Sequence, residues 1–152
     1  MMLNFKKGFT ILETFIVLSI TTLLIVIVLP SFQAMRNNQV LKATASEVVS
    51  ALNEARSQSL SSVDSSEYGI HFESDEIIIF KGTTFSSLDP DNENISITSP
   101  ASISSINLTG GAVDVYFDRL SGAPNKTGTI TISVSPFSKI ITISATGAVS
   151  MN

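Results

Sequence analysis

Lys7-Gly8-Phe9-Thr10-Ile11-Leu12-Glu13, continued by an almost purely apolar run as far as Pro30, is the stretch whose reading decides the fold. Lys6 and Lys7 place two positive charges before a glycine, and one acid, Glu13, heads 16 uncharged residues, 14–29. The 21 residues 9–29 would span about 32 Å as a helix, close to the roughly 30 Å of a bilayer's hydrocarbon core. A carboxylate inside such a segment costs a few kcal/mol unless something pairs with it, which makes Glu13 a functional candidate by default. Lys6 and Lys7 lie nearer the apolar edge than Arg36 and Lys42. That asymmetry, though small, favours a cytoplasmic N-terminus with the bulk of the chain outside.

Three uses of the segment compete. A secretory signal peptide needs small residues at positions −3 and −1 of its cleavage site. Ala34 would serve at −1, but Phe32 at −3 is too large. A plain anchor would leave Glu13 near the interface. An assembly segment would leave the bilayer to pack with copies of itself or with relatives, and Glu13 would be neutralised by a positive charge inside a helical bundle.

Gly8-Phe9-Thr10-Ile11-Leu12-Glu13 resembles the N-terminal motif of type IV prepilins and of the pseudopilins of type II secretion, with a short basic leader before it and an apolar run after it. The resemblance implies cleavage between Gly8 and Phe9 by a prepilin peptidase on the cytoplasmic face. N-methylation of the new Phe9 amine by the same enzyme would follow, and Glu13 would act in subunit assembly. The physics is compatible. Glycine lets a protease approach the backbone closely. A freed α-amine, with an unperturbed pKa of about 8, is largely charged at neutral pH. Phe9 and Glu13 lie one helical turn apart, so that amine could pair with Glu13 of its own helix or of a neighbour.

Pro30 lacks the amide that would bond the Val26 carbonyl, so a kink in a continuous helix is expected there. A proline at about this point also recurs in the family. Beyond it, Leu41, Ala45, Val48, Leu52, Ala55 and Ser59 follow steps of three and four, and Val49, Leu60 and Val63 widen the stripe. Lys42, Glu47, Asn53, Glu54 and Ser57 take the opposite side, and Arg56 and Gln58 are read as solvated surface. The pattern predicts a helix of about 50 residues, roughly 75–80 Å long, ending in the Ser-rich run 61–66. No sustained heptad supports a coiled coil.

After Tyr68 the period changes to two. Strands are expected at 68–72 and 76–81 as a hairpin, then at 95–98, 103–108, 113–117, 129–135 and 139–144. Residues 82–93 and 121–128 read as loops, Gly110-Gly111 and Pro136-Phe137-Ser138 as turns. Strands so spaced, with no helical pattern between them, mean antiparallel sheet. The expected fold is α+β and pilin-like: a long N-terminal helix, apolar then amphipathic, packed on antiparallel sheet. Its parts are a leader (1–8), a transmembrane and assembly helix (9–30), an amphipathic half (31–66) and a β domain (67–152).

The C-terminal stretch Phe117-Asp118-Arg119, Ser121-Gly122-Ala123-Pro124, two alternating strands and Thr146-Gly147-Ala148-Val149 is similar to the end of H-type minor pseudopilins and related minor pilins. It departs in having Ala148, not a basic residue, between Gly147 and Val149. The resemblance implies a non-enzymatic minor pseudopilin of a type II secretion system, held single-pass in a bacterial inner membrane before assembly into a filament. Its partners would be the prepilin peptidase and other pilin or pseudopilin subunits. The alternative is a minor type IV pilin in pilus assembly, adhesion or DNA uptake.

Chemistry-bearing patterns are otherwise sparse. The chain has no Cys and one His, and His71 alternates against Tyr68, Ile70 and Phe72, so it reads as a structural or surface histidine. No nucleophile elbow accompanies it, and no cofactor is expected. Asp89-Pro90-Asp91-Asn92-Glu93 faintly resembles a calcium loop but lacks the required Gly and the distal Glu, so it reads as a solvated acidic loop. Asn94, Asn107 and Asn125 head Asn-x-Ser/Thr triplets that indicate polar surface only. A net charge of −4 disfavours nucleic acid, although Arg119, Lys126 and Lys139 would suit a weak, salt-sensitive site if they clustered.

Overall fold

The computed structural model describes residues 8–152; the leader's residues 1–7, with Lys6 and Lys7, lie outside the described residues. The chain divides into two compact units, the first ending at Arg36 and the second running Asn37–Asn152. One helix, α1 (Ile11–Leu60), contributes to both and continues through Pro30. The helix therefore does not stop at the expected end of the anchor. Proline removes one ladder bond there, to the Val26 carbonyl, and the helical pattern resumes beyond it.

In the first unit the helix is apolar all round. An 18-residue window has a mean hydropathy of 2.6, and none of it is buried within the chain. By length and composition this helix can cross a membrane. Its hydroxyls are satisfied internally: Ser19, Thr21 and Thr22 donate to the carbonyls of Phe15, Val17 and Leu18 at 2.7–2.8 Å. Such back-bonding is what a hydroxyl needs where no water is available.

In the second unit the amphipathic half of α1 packs on two antiparallel four-stranded sheets. The strands are β1 (Tyr68–Phe72), β2 (Glu76–Lys81), β3 (Glu93–Ser96), β4 (Ser102–Leu108), β5 (Asp114–Phe117), β6 (Gly128–Val134), β7 (Phe137–Ile143) and β8 (Val149–Met151). One sheet has the order β3-β2-β1-β5 and the other β4-β6-β7-β8. Leu41, Ala45, Val48, Leu52, Ala55 and Ser59, the predicted stripe, are all buried, joined by Thr44 and Ala51. They share one core with Ile70, Phe72, Ile77, Val115 and Phe117 of the first sheet and Ile130, Ile132, Ile141 and Ile143 of the second. Alternation along each strand puts these residues on one face.

Several expectations are corrected. Leu60 and Val63 are exposed and do not widen the stripe, because the helix ends at Leu60 and the chain turns away through a 3-10 turn, Val63–Ser65; Val49 is half-buried against the core. The third strand begins at Glu93 rather than at Ile95, since its register is set by pairing Glu76 with Ser96 and Ile79 with Glu93. The β6–β7 turn is Ser135-Pro136, and Phe137 and Ser138 already belong to β7, opposite Val134 and Ser133. The segment 82–92 is more than a solvated loop. Its Phe85 stacks on His71 (ring centroids 3.9 Å apart, 7° between planes) and meets Phe80 edge-on, covering the outer face of the first sheet, where Ile78 and Phe80 are buried.

Gly69 shows how tight that sheet is: a Cβ there would lie 2.6 Å from the Val115 carbonyl oxygen and 2.5 Å from Phe80 Cζ. Leu52→Ala, which opens a hole at the centre of the stripe, is expected to destabilise the folded domain by about 2–5 kcal/mol. Asn53→Ala, on the opposite side, should stay within about 0.5 kcal/mol. Chemical denaturation of the detergent-solubilised chain, followed by Tyr fluorescence, checks both.

Candidate functional site

The residues of the N-terminal motif form the first turn of α1 and the chain leading into it. Gly8, Phe9 and Thr10 precede the helix, and Phe9 is exposed. Thr10 is its N-cap: the Thr10 Oγ1 accepts the Glu13 backbone amide at 3.2 Å, while the Thr10 carbonyl accepts the Thr14 amide at 3.1 Å. Thr10-x-x-Glu13 has the spacing of a capping box, in which the residue three after the cap is an acid or amide. An acid in the first turn also meets the positive end of the helix dipole. Sequence reasoning passed over Thr10, although the Thr-x-x-Glu spacing was there to be read. Glu13 itself is exposed, and its neighbours Ile11, Leu12, Phe15 and Ile16 are exposed as well. The arrangement is a helix start carrying one acid within an uncovered apolar surface.

The far end of α1 is held by the stretches that prompted the C-terminal resemblance. The Arg56 Nε donates to the Gly122 carbonyl (3.1 Å) and its Nη2 to the Thr146 carbonyl (3.0 Å), which corrects its reading as solvated surface. The Ser59 carbonyl accepts both the Ser62 and the Leu120 amides, at 3.1 and 3.0 Å. The Ser59 hydroxyl accepts the Tyr68 amide at 2.8 Å. Gly122 and Gly147 both have positive φ, 62° and 75°, and an added Cβ would strike Leu60 at the first and Arg56 at the second. These two glycines are therefore explained by helix docking, and the glycine before the last strand has a structural reason.

Among the other candidates, His71 points to the outer face, its Nε2 3.8 Å from the Glu73 carboxylate. Among the described residues no three His, Cys, Asp or Glu side chains are grouped so as to hold a metal ion. In the acidic loop the Asp89 Oδ1 accepts the Asp91 amide (3.0 Å), and Asp91 lies 3.7 Å from Lys81 Nζ. Arg119 and Lys126 are engaged locally, Arg119 with the Ser65 carbonyl (2.9 Å) and Lys126 with the Asp114 carboxylate (3.0 Å); Lys139 lies on β7, opposite Ile132. Comparison with protein-family models, curated proteins and solved structures returns no match for this chain.

One ion pair ties the loops at this end. Lys81 Nζ lies 3.0 Å from Asp64 Oδ2. The hydrogen bond and charge of Lys81 lower the Asp64 pKa, and Asp64 in turn raises that of Lys81. Burial, then Asp64, raises that of Tyr68. Asp64 sits at φ 48°, between Ser62 and Ser65, which are also left-handed. The pair's contribution is fully present above the ordinary Asp value of 3.8 and below the ordinary Lys value of 10.5. It is lost as pH falls through the depressed Asp64 value, or rises through the elevated Lys81 value. NMR of the Ser62 and Ser65 amides is therefore expected to show no transition between about pH 4 and 10 from this pair, and one below about pH 4 that Lys81→Met moves to higher pH. A second variant, Arg56→Met, is expected to cost about 1–3 kcal/mol, because two carbonyls lose a charged donor; denaturant unfolding measures it.

Proposed function

We propose that this chain is a non-enzymatic filament subunit of the type IV pilin and pseudopilin kind, a minor pseudopilin of a type II secretion system. The observation that carries the reading is the division of one continuous helix. Its second half buries an apolar stripe under the chain's own sheets, while its first half, headed by Gly8-Phe9-Thr10-Ile11-Leu12-Glu13, leaves its apolar surface uncovered. A lipid bilayer covers that surface first, with the N-terminus on the cytoplasmic side. Cleavage between Gly8 and Phe9 by a prepilin peptidase, followed by N-methylation of Phe9, produces the mature chain. An assembly platform then extracts the helix into a filament, where helix–helix contacts replace lipid contacts.

In that filament the charged Phe9 amine pairs with Glu13 of a neighbouring subunit. The pairing offsets the cost of holding a carboxylate among apolar side chains. Thr10 supports the step by fixing the first turn, so that Phe9 and Glu13 keep a constant separation along the helix. Pro30 marks the place where the helix lacks one backbone bond and can bend as it changes environment. A nucleic-acid role, the mark of an uptake pilin, has less support, since Arg119 and Lys126 already serve protein partners.

Two measurements test the reading. Mass spectrometry of the chain from cells with an active prepilin peptidase should show a mature N-terminus at methylated Phe9; a chain still starting at Met1 would overturn it. Glu13→Ala should insert into membranes normally yet enter filaments far less, on the order of a hundredfold, for an unpaired buried charge costing about 3 kcal/mol. Incorporation at the normal rate would remove the assembly role of Glu13.

A further inference from the structure

The outer face of the second sheet carries a pattern that no role above uses. Ile130, Ile132, Ile141 and Ile143 turn inward to the core, so the residues alternating with them face away from it. Strand pairing lines these outward residues up in rows. Asn107, Thr129, Thr142 and Ser150 form one row over β4, β6, β7 and β8. In the next row Thr131 stands between Ser105 and Ile140. The register shift between Ile103 and Ser105 serves this face. It lets Ile103 and Ile106 both turn inward while Ser105 and Asn107 stay outward and exposed.

The face is neutral. The four strands hold a single charged residue, Lys139, and it lies opposite the inward-facing Ile132, on the other side. A soluble surface usually mixes in charges, at about 25–35 % of its residues. The first sheet differs: its outer face carries the Asp114–Lys126 pair and is covered by Phe85. Among the described residues, the Ser105, Thr129, Thr131, Thr142 and Ser150 hydroxyls and the Asn107 side-chain amide make no hydrogen bond within the chain. Each of these side chains can donate and accept. That suits a partner that is uncharged and rich in both kinds of group.

Spacing narrows the partner further. Adjacent strands lie about 4.8 Å apart, so each row offers one side chain per step of that length. A pyranose unit in an extended glycan advances its chain by nearly the same length. Four successive sugars laid across the strands would therefore meet the four members of the first row in turn. Nucleic acid and anionic lipid need clustered basic groups, which this face lacks.

We propose that the outer face of the second sheet binds an extended neutral glycan, laid across the strands so that successive sugars meet Asn107, Thr129, Thr142 and Ser150. Ile140, 44 % exposed in the adjoining row, gives the sugar rings an apolar contact. Hydrogen bonds to the sugar replace bonds to water, and no aromatic ring stands in these rows to stack on a sugar, so the dissociation constant is expected at about 1 mM. Only the second unit takes part, so the proposal stands or falls independently of the filament reading.

The full chain, held in a sugar-free detergent, is titrated with cellotetraose, an extended neutral glucan, and followed by amide NMR. The expected result is a set of shifts confined to β4, β6, β7 and β8. A chain carrying both Thr129→Val and Thr142→Val should bind about tenfold more weakly; valine keeps the branched shape and strand preference of threonine and removes only the hydroxyl. Isomaltotetraose, equally neutral and hydroxyl-rich but without the extended repeat, should also bind at least about tenfold more weakly than cellotetraose. No shifts up to about 10 mM cellotetraose would leave the face merely solvated and overturn the proposal. Equal responses to the two sugars would overturn it by removing the match of spacing. Unchanged binding by the valine variant would do so by placing the sugar elsewhere. Shifts of the same amides with protein concentration alone would mark a contact between copies and count against it as well.

Discussion

Everything in the second unit depends on the buried stripe from Leu41 to Ser59. Two four-stranded sheets, each too small to bury both of its faces alone, share that stripe as a common wall. The stripe uses small residues where backbones must approach: Ala45, Ala51, Ala55 and Ser59 alternate with Leu41, Val48 and Leu52. Removal of a large member opens a hole that two sheets must close at once, so the cost falls on the whole domain. The end of the stripe is also where the helix meets polar needs. Two carbonyls of its last turn, where partners within the helix run out, are met from outside it: that of Ser57 by the Ser61 amide, and that of Ser59 by the Ser62 and Leu120 amides.

Periodicity made much of this legible. The stripe was read from steps of three and four, and β1 and β2 from strict alternation, because both are local consequences of one buried face. The α+β arrangement with antiparallel pairing followed from the order of those periods. What escaped reading was set by contacts distant in sequence. Arg56 looked like surface because its two acceptors lie 66 and 90 residues away. Leu60 and Val63 fit the stripe by spacing, yet the helix ends before they can be covered. Phe85 sits in a polar run, and only the folded sheet shows that His71 and Phe80 give it a place to pack. The start of β3 moved by two residues because pairing with β2, not composition, sets a strand's register.

The N-terminal segment presents a different case. Its helix could be read from hydropathy, and the structure contains it, but the meaning of Glu13 divides between two physical roles. One is local: an acid three residues after a threonine N-cap, in the first turn, where the helix dipole favours negative charge. The other is intermolecular: a carboxylate awaiting a cation in an apolar setting. The local role contributes on the order of 1 kcal/mol. Placing an acid at membrane depth costs about 2.5–3.5 kcal/mol. Capping alone therefore does not offset burial.

That difference decides between a plain anchor and an assembly helix only through depth. As an interfacial residue, Glu13 would keep its water and its capping role, and nothing further would be needed. Drawn into a bundle of apolar helices, it loses its water, and a cation must replace it. A cation that one helix turn could supply is the amine that cleavage after Gly8 would create at Phe9, because on the proposed reading Lys6 and Lys7 would leave with the leader. On the proposed reading, cleavage would remove the two positive charges of Lys6 and Lys7 and leave one amine a helical turn from the acid. On that proposal one peptide bond would serve both release and pairing, which a plain anchor would not require of Gly8, Phe9 and Glu13 together.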